Sequence, residues 1–409
     1  NDGKKRPVMV WLHGGGFSVG SGSDPITDGK LLAEKGDVVV VSVNHRLNIL
    51  GFLDLSAVDQ KYARSANVGM LDVVEALRWV ARNIESFGGD CGNVTILGES
   101  GGGGKVGTLM CMPGAKGLFH KAIIQSGTLV NVMTKEKSRE VGLALLDVLG
   151  ISKEDVHELD GIPYRDLVAA GERALERTVG RRTPGTRTMF GFGPVPDGID
   201  LLQQPFTPGF AGISEDVPLM IGTTFNELMK ICYCEKDLTF DGARERLEVQ
   251  YGDQTDAFIA LFKAAYPDGS PQDLLSIDTM FRPVTIRVAD AASRRAAPVY
   301  SYMLTWKSPV DDSTKGSFHG LDIPLAFSNI ELGKHWTGDS DEAHALADIM
   351  SSAWLNFARS GNPNVADKLP LWDAYTRENG ATMLFDSACR IVKHHDRELM
   401  DLVLSVRKE

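Results

Sequence analysis

NVTILGESGGGGK, residues 93–105, is the stretch on which the reading of this chain turns. A short β-branched run, Val94 to Leu97, ends in Gly98-Glu99-Ser100-Gly101-Gly102 and passes into small residues. This is the pattern of a strand, a tight turn and the start of a helix. A serine on so sharp a turn leaves no room for bulky side chains two positions to either side, which is the mechanical content of G-x-S-x-G. Its hydroxyl is pushed clear of the backbone. The helix behind it turns N–H groups toward the same space, where they can meet negative charge developing on an oxygen. Glycine supplies 43 of the 409 residues, so the five-residue pattern alone also fits an ordinary structural turn.

The chain is 43% hydrophobic and 24% charged, enough for one large core or two modest domains. Its longest apolar runs, such as Val38 to Val41, fall far short of a membrane span, and no charged-then-apolar leader stands at the start. A chain that opens Asn1-Asp2-Gly3-Lys4 is expected to be a processed or truncated product. The net charge of −11 without a long basic cluster argues against nucleic acid as a partner. Five cysteines, at 91, 111, 232, 234 and 389, are too few and scattered for a disulfide scaffold. Cys232 and Cys234 form a C-x-C pair, but no second pair or nearby histidine completes a metal site, so no metal is expected. The expectation is a soluble protein, cytoplasmic ahead of secreted, with no oligomeric state prescribed.

Outward from the serine, Pro7 to Leu12 reads as a strand that breaks at His13-Gly14-Gly15-Gly16-Phe17. Three glycines after a buried strand mark a place where backbone must approach something closely, either as a plain turn or as N–H donors from Gly15 and Gly16. Val38 to Val43 has the look of a central parallel strand covered on both faces. Arg46 after it reads as an ion pair holding loops together, and His45 as packing. Met70, Val73, Leu77, Val80 and Ile84 mark one face of a helix, and Phe87-Gly88-Gly89-Asp90 stops it ahead of the Val94 strand. Further strands are expected at Ala122 to Gln125, Val217 to Gly222 and Pro298 to Thr305, the last with alternating faces. A closing helix runs from Glu342 to Arg359 and stops at Ser360-Gly361-Asn362-Pro363. The rhythm is that of an α/β fold, a mostly parallel sheet with helices on both faces. Helical insertions are expected at about 130–216 and 236–298, all within one domain spanning 1–409.

A serine hydroxyl is a poor nucleophile near neutral pH and needs a base, which in turn needs an orienting acid. Of nine histidines, His319 stands in a Gly-flanked loop after a predicted strand. His120, His157, His335 and His344 lie in or beside predicted helices, and His394 and His395 in a charged segment expected to be solvated. Glu227 follows a strand end by a short loop, where such sheets place their catalysts. The order Ser100, Glu227, His319 is that of α/β-hydrolases.

Beyond these residues, HGGGF at 13–17, NHRLNILGFL at 44–53, NVGMLD at 67–72, IIQSG at 123–127 and the closing FARSGNPN make the chain resemble the carboxylesterase/cholinesterase family, the type-B carboxylesterases. The likeness spans nearly the whole chain and is nearest to the family's bacterial esterases. It implies the α/β-hydrolase fold and cleavage of small to medium carboxylic esters without a cofactor. It implies Ser100 as nucleophile, His319 as general base and acid, and Glu227 as the acid orienting it. It also implies an oxyanion hole from the N–H groups of Gly15, Gly16 and Gly101, with Glu99 and Ser126 as supporting groups. Two departures stand out. Gly101 to Gly104 are all glycine where the family has Ala first and other small residues after, each interior glycine costing a helix about 1 kcal/mol. Lys105 stands where a small residue is common and is expected to face solvent. The family's segment ahead of the HGGGF strand is expected to be lacking.

The chemistry implied is acyl transfer through an acyl-enzyme, with an imidazole titrating near its ordinary 6.5. Two rivals stand beside it. A non-catalytic adhesion protein on the same fold should have lost Ser100 or His319, and both are present. Lipase, thioesterase or amidase activity would keep the machinery and change the bond, which a series of p-nitrophenyl esters beside an anilide and a thioester separates.

Overall fold

A computed structural model describes residues 2–180, 191–210, 212–228 and 237–407. Eight strands form one sheet in the order β2-β1-β3-β4-β5-β6-β7-β8. They are β1 Arg6–Leu12, β2 Val39–Val43, β3 Gly89–Glu99, β4 Lys121–Gln125, β5 Leu219–Thr224, β6 Val299–Leu304, β7 Ala381–Phe385 and β8 Arg390–Lys393. All neighbours are parallel except β7 and β8.

Strand periodicity sorts the side chains into two layers. Val8, Val10 and Leu12 of β1 join one apolar cluster, with helices Val68–Asn83, Gly101–Leu109, Lys135–Leu149 and Tyr164–Thr178. Met9 and Trp11 join the cluster on the opposite face, around Trp354, Phe357 and Phe385, built by helix Asp341–Ser360. β3, β4 and β5 repeat the split, with Ile96, Ile124 and Ile221 on one side and Leu97, Ile123 and Met220 on the other. Two helices of the first layer fall in the expected 130–216 stretch, and helices Phe240–Tyr251, Thr255–Ala265, Pro271–Ser276 and Arg282–Ala292 fall in the 236–298 stretch. The segment at 181–187 lies outside the described residues, as do Cys232 and Cys234. Among the described residues no helix is long and apolar enough to cross a membrane, and no cluster of His, Cys, Asp and Glu could hold a metal.

Three expectations change. β2 is an edge strand rather than a central one: Val39, Val40 and Val41 are half-buried and Ser42 is exposed. Helices cover both faces even at the margin of such a sheet, so an apolar run does not report centrality. β6 is buried at every position rather than on alternate ones, because its polar Ser301 and the Tyr302 hydroxyl both find partners inside. Of the two histidines expected to be solvated, His394, just past the β7–β8 hairpin, is exposed, but the His395 side chain is only 10% exposed.

One buried ion pair ties this C-terminal region to helix Arg282–Ala292. Arg282 Nε and Nη2 donate to Asp396 at 2.7 and 2.9 Å, with both side chains almost fully enclosed. Burial opposes its charge, yet the guanidinium holds the Asp396 carboxyl well below the usual range. Asp396→Asn leaves a buried guanidinium uncompensated and is expected to cost about 3 to 5 kcal/mol in urea unfolding.

Candidate active site

The serine turn is built by close backbone contact. Ser100 ends β3 at φ 55°, ψ −122° and donates its N–H to Gln125 O at 2.9 Å, while helix Gly101–Leu109 begins at the next residue. A Cβ at Gly98 would lie 2.6 Å from Leu12 O, and one at Gly102 only 1.9 Å from that oxygen. Glycine at both positions is therefore a steric requirement.

The loop after β1 folds against the same point. Gly15 and Gly16 take φ of 93° and 59°, in the left-handed region. A Cβ on Gly101 would sit 2.5 Å from Gly16 N, and one on Gly14 3.5 Å from Ser100 Cβ, so the loop, the serine and the helix start converge. Among the described residues the N–H groups of Gly15, Gly16 and Gly101 donate to no protein acceptor.

Glu227 and His319 come from loops after β5 and β6. Glu227 is held at φ 44°: its Oε1 accepts from Thr224 N at 2.8 Å and its N–H donates to Thr224 Oγ1 at 3.2 Å. Its backbone bridges Phe318, and His319 N–H donates to Glu227 O at 3.2 Å. The side chains meet where His319 Nδ1 donates to Glu227 Oε2 at 2.5 Å, the carboxylate being fully enclosed. Phe281 stacks on the imidazole at 5.5 Å and 6°. Phe281 is in turn set by Asp278, whose carboxylate accepts from the N–H groups of Met280, Phe281 and Arg282 at 2.6 to 3.1 Å. Neither Phe281 nor Asp278 was singled out from the sequence, which carries only the N-terminal acid ahead of a helix as a sign of them.

The other imidazole nitrogen faces Glu99. His319 Nε2 lies 3.3 Å from Glu99 Oε1, on the residue just before Ser100. Ser100 Oγ makes no hydrogen bond to a described residue, so the expected serine–histidine bond is not among the contacts of the site. Ser126 is fully buried beside β4, but its hydroxyl also lacks a described partner; its N–H donates to Gly222 O at 2.8 Å.

Two carboxylates on one imidazole change its titration. Burial pulls the His319 imidazolium down, but Glu99 and Glu227 outweigh it and push the group up to about 10. The expected ordinary value of 6.5 is thus corrected upward. Burial pushes the Glu99 carboxyl up to about 8. Arg46 behaves as read, its guanidinium paired to Asp72 at 2.6 and 2.8 Å, and His45 packs against His13 at 5.1 Å. Lys105 does not face solvent: it is fully buried, with Nζ donating to His13 O at 2.7 Å. The four preceding glycines carry no side chains to fill that space.

The profile of the carboxylesterase family matches residues 1–401. Para-nitrobenzyl esterase of Bacillus subtilis is 36% identical over 404 residues, covering 97% of this chain and 78% of the relative. Phenmedipham hydrolase of Pseudarthrobacter oxydans is 32% identical, over 94% of this chain and 76% of its own. Among solved structures, an esterase from anaerobic Clostridium hathewayi that can hydrolyze aliphatic aromatic polyesters superimposes with a TM-score of 0.87 at 38% identity, covering 98% of this chain and 80% of that one.

The raised imidazole has a sign that can be checked. Its contribution to stability is fully present below the unfolded value of 6.5 and is lost as pH rises through the folded value. In imidazole 15N NMR the His319 midpoint is expected above 6.5 and to fall in Glu99→Gln, which removes one of the two carboxylates facing the ring.

Proposed function

The chain belongs to the carboxylesterase family and hydrolyses carboxylic esters, and from that premise we propose that it does so with Ser100, His319 and Glu227 through an acyl-enzyme. The observation that carries this reading is the 2.5 Å bond from His319 Nδ1 to Glu227, which leaves Nε2 turned toward the residue preceding Ser100. An imidazole held this way is in the tautomer that accepts a proton at Nε2.

In the proposed sequence, Ser100 Oγ attacks the ester carbonyl carbon as its proton passes to His319 Nε2. The carbonyl oxygen takes up the negative charge, facing the N–H groups of Gly15, Gly16 and Gly101. Their freedom from other acceptors supports this role, and one such donor is worth about 3 to 4 kcal/mol in acyl transfer. The tetrahedral centre collapses with cleavage of the bond to the alcohol oxygen, which leaves with the proton from His319. Water then repeats the sequence, giving the acid and free Ser100. Glu227, bonded to His319 Nδ1, orients the imidazole and stabilises the imidazolium. Glu99 faces the opposite edge of the ring, and Ser126, buried just after β4, is the further supporting group. The substrate class is a small to medium ester.

Ser100→Ala in purified protein is expected to lower turnover of p-nitrophenyl butyrate by about four orders of magnitude or more, and to abolish covalent labelling by a fluorophosphonate. Unchanged turnover would remove the proposed nucleophile. Because the base acts when neutral, activity falls as pH is lowered through its ionisation. The acid limb of kcat/KM is expected above 6.5 and to move down in Glu99→Gln; a profile flat from pH 5 to 10 in the unaltered enzyme contradicts His319 as the base.

A further inference from the structure

Lys105 is the first residue of its helix with a side chain, following four glycines of which Gly101 and Gly102 lie against the backbone at the end of β1 and the loop after it. It is completely buried, and among the described residues no carboxylate pairs with it. Its Nζ donates to His13 O at 2.7 Å and lies 5.5 Å from the centre of the Phe17 ring. His13 and Phe17 are the two residues flanking Gly14-Gly15-Gly16. The next carbonyl, Gly14 O, is bonded to His13 Nδ1 at 2.8 Å, and Phe17 O accepts from Asn48 N at 2.8 Å.

Burial pushes the Lys105 ammonium down to about 7. Burial first, and the nearby ammonium second, keep the His13 imidazole neutral, and the stacked His45 ring behaves in the same way. A neutral His13 bonded through Nδ1 to a carbonyl must donate there, so its ring braces Gly14 O. Enclosing an ammonium without a counter-ion is unfavourable, and an unbranched apolar side chain would fill the same space without that cost. What the amino group adds is a directed bond to the peptide that opens the glycine loop.

We propose that Lys105 is a positioning residue for the oxyanion-binding loop, clamping it at the His13 carbonyl and the Phe17 ring so that the Gly15 and Gly16 N–H groups keep their direction as charge develops. The assignment rests on the reading of Gly15, Gly16 and Gly101 as the oxyanion donors. It acts on the transition state rather than on substrate binding, because the donors meet full negative charge only after attack.

The test compares unaltered enzyme with Lys105→Met and Lys105→Gln, with kcat counted per site titrated by a fluorophosphonate so that misfolded protein is excluded. On p-nitrophenyl butyrate, kcat is expected to fall about tenfold or more in both variants with KM within about twofold. The inhibition constant of an alkyl trifluoromethyl ketone, which adds to the serine as a tetrahedral oxyanion, should rise by the same factor. Unaltered kcat and ketone affinity in either folded variant overturn the assignment, and so does a fall in kcat without weaker ketone binding. Mass mapping of the fluorophosphonate separates the two layers of inference. A label absent from Ser100 in the unaltered enzyme brings down the triad reading and the Lys105 role with it, whereas a label on Ser100 with unaffected variants brings down Lys105 alone.

Discussion

The backbone of β1, the end of β3 and the first turn of the 101–109 helix touch without intervening side chains. Leu12 O would lie 1.9 Å from a Cβ on Gly102 and 2.6 Å from one on Gly98, while Gly16 N would lie 2.5 Å from a Cβ on Gly101. The serine turn and the glycine loop beside it depend on that closeness. It bends the chain sharply enough to hold Ser100 at positive φ, and it brings the N–H groups of two separate segments to one place. Four consecutive glycines would weaken an isolated helix. Here all nine residues of the helix are buried and packing supplies what propensity lacks.

The electrostatics on the other side of the site are set by carboxylates gathered around a single imidazole. Glu227 bonds one nitrogen, Glu99 faces the other, and Asp322 lies buried nearby with bonds from Gln125 and Tyr302 at 3.0 and 2.7 Å. In the proposed acyl transfer this field would stabilise the imidazolium, and by the same sign it would hold back the neutral base. Burial of Glu99 moderates the second effect, because a Glu99 carboxyl that keeps its proton toward neutral pH leaves Glu227 as the anion in direct contact. At the start of the glycine loop, the buried Lys105 bonds the His13 carbonyl. The proposed reaction would thus run between a region that favours positive charge on the imidazole and one that favours negative charge on the substrate oxygen.

Much of the scaffold was legible because short-range rules produce it. The strand–turn–helix at 93–105, the helix at 68–83 with its apolar stripe, and the Gly361-Asn362-Pro363 stop all appear where periodicity and backbone chemistry place them. Positions within the sheet were less readable. Val39 to Val43 looks like a central strand and is an edge, since cover on both faces is a property of the layers and not of the strand. The β7–β8 hairpin escaped notice because Arg390–Lys393 pairs on one side only and keeps a polar, half-exposed pattern.

By itself the sequence determined which groups are available and in what order: a serine between glycines, a later acid, a later Gly-framed histidine, and a glycine loop ahead of them all. Those are local requirements, legible because turns and strand ends accept few residue types. Only the tertiary structure decided what those groups face. It turned Glu99 onto the imidazole at 319, laid Phe281 over that ring, and folded Lys105 inward where a charged residue after a small-residue run had suggested a solvated surface. Each of these depends on segments up to about two hundred residues apart meeting at one sheet edge, and burial, which shifts the ionisation of all three charged groups, exists only once they have met.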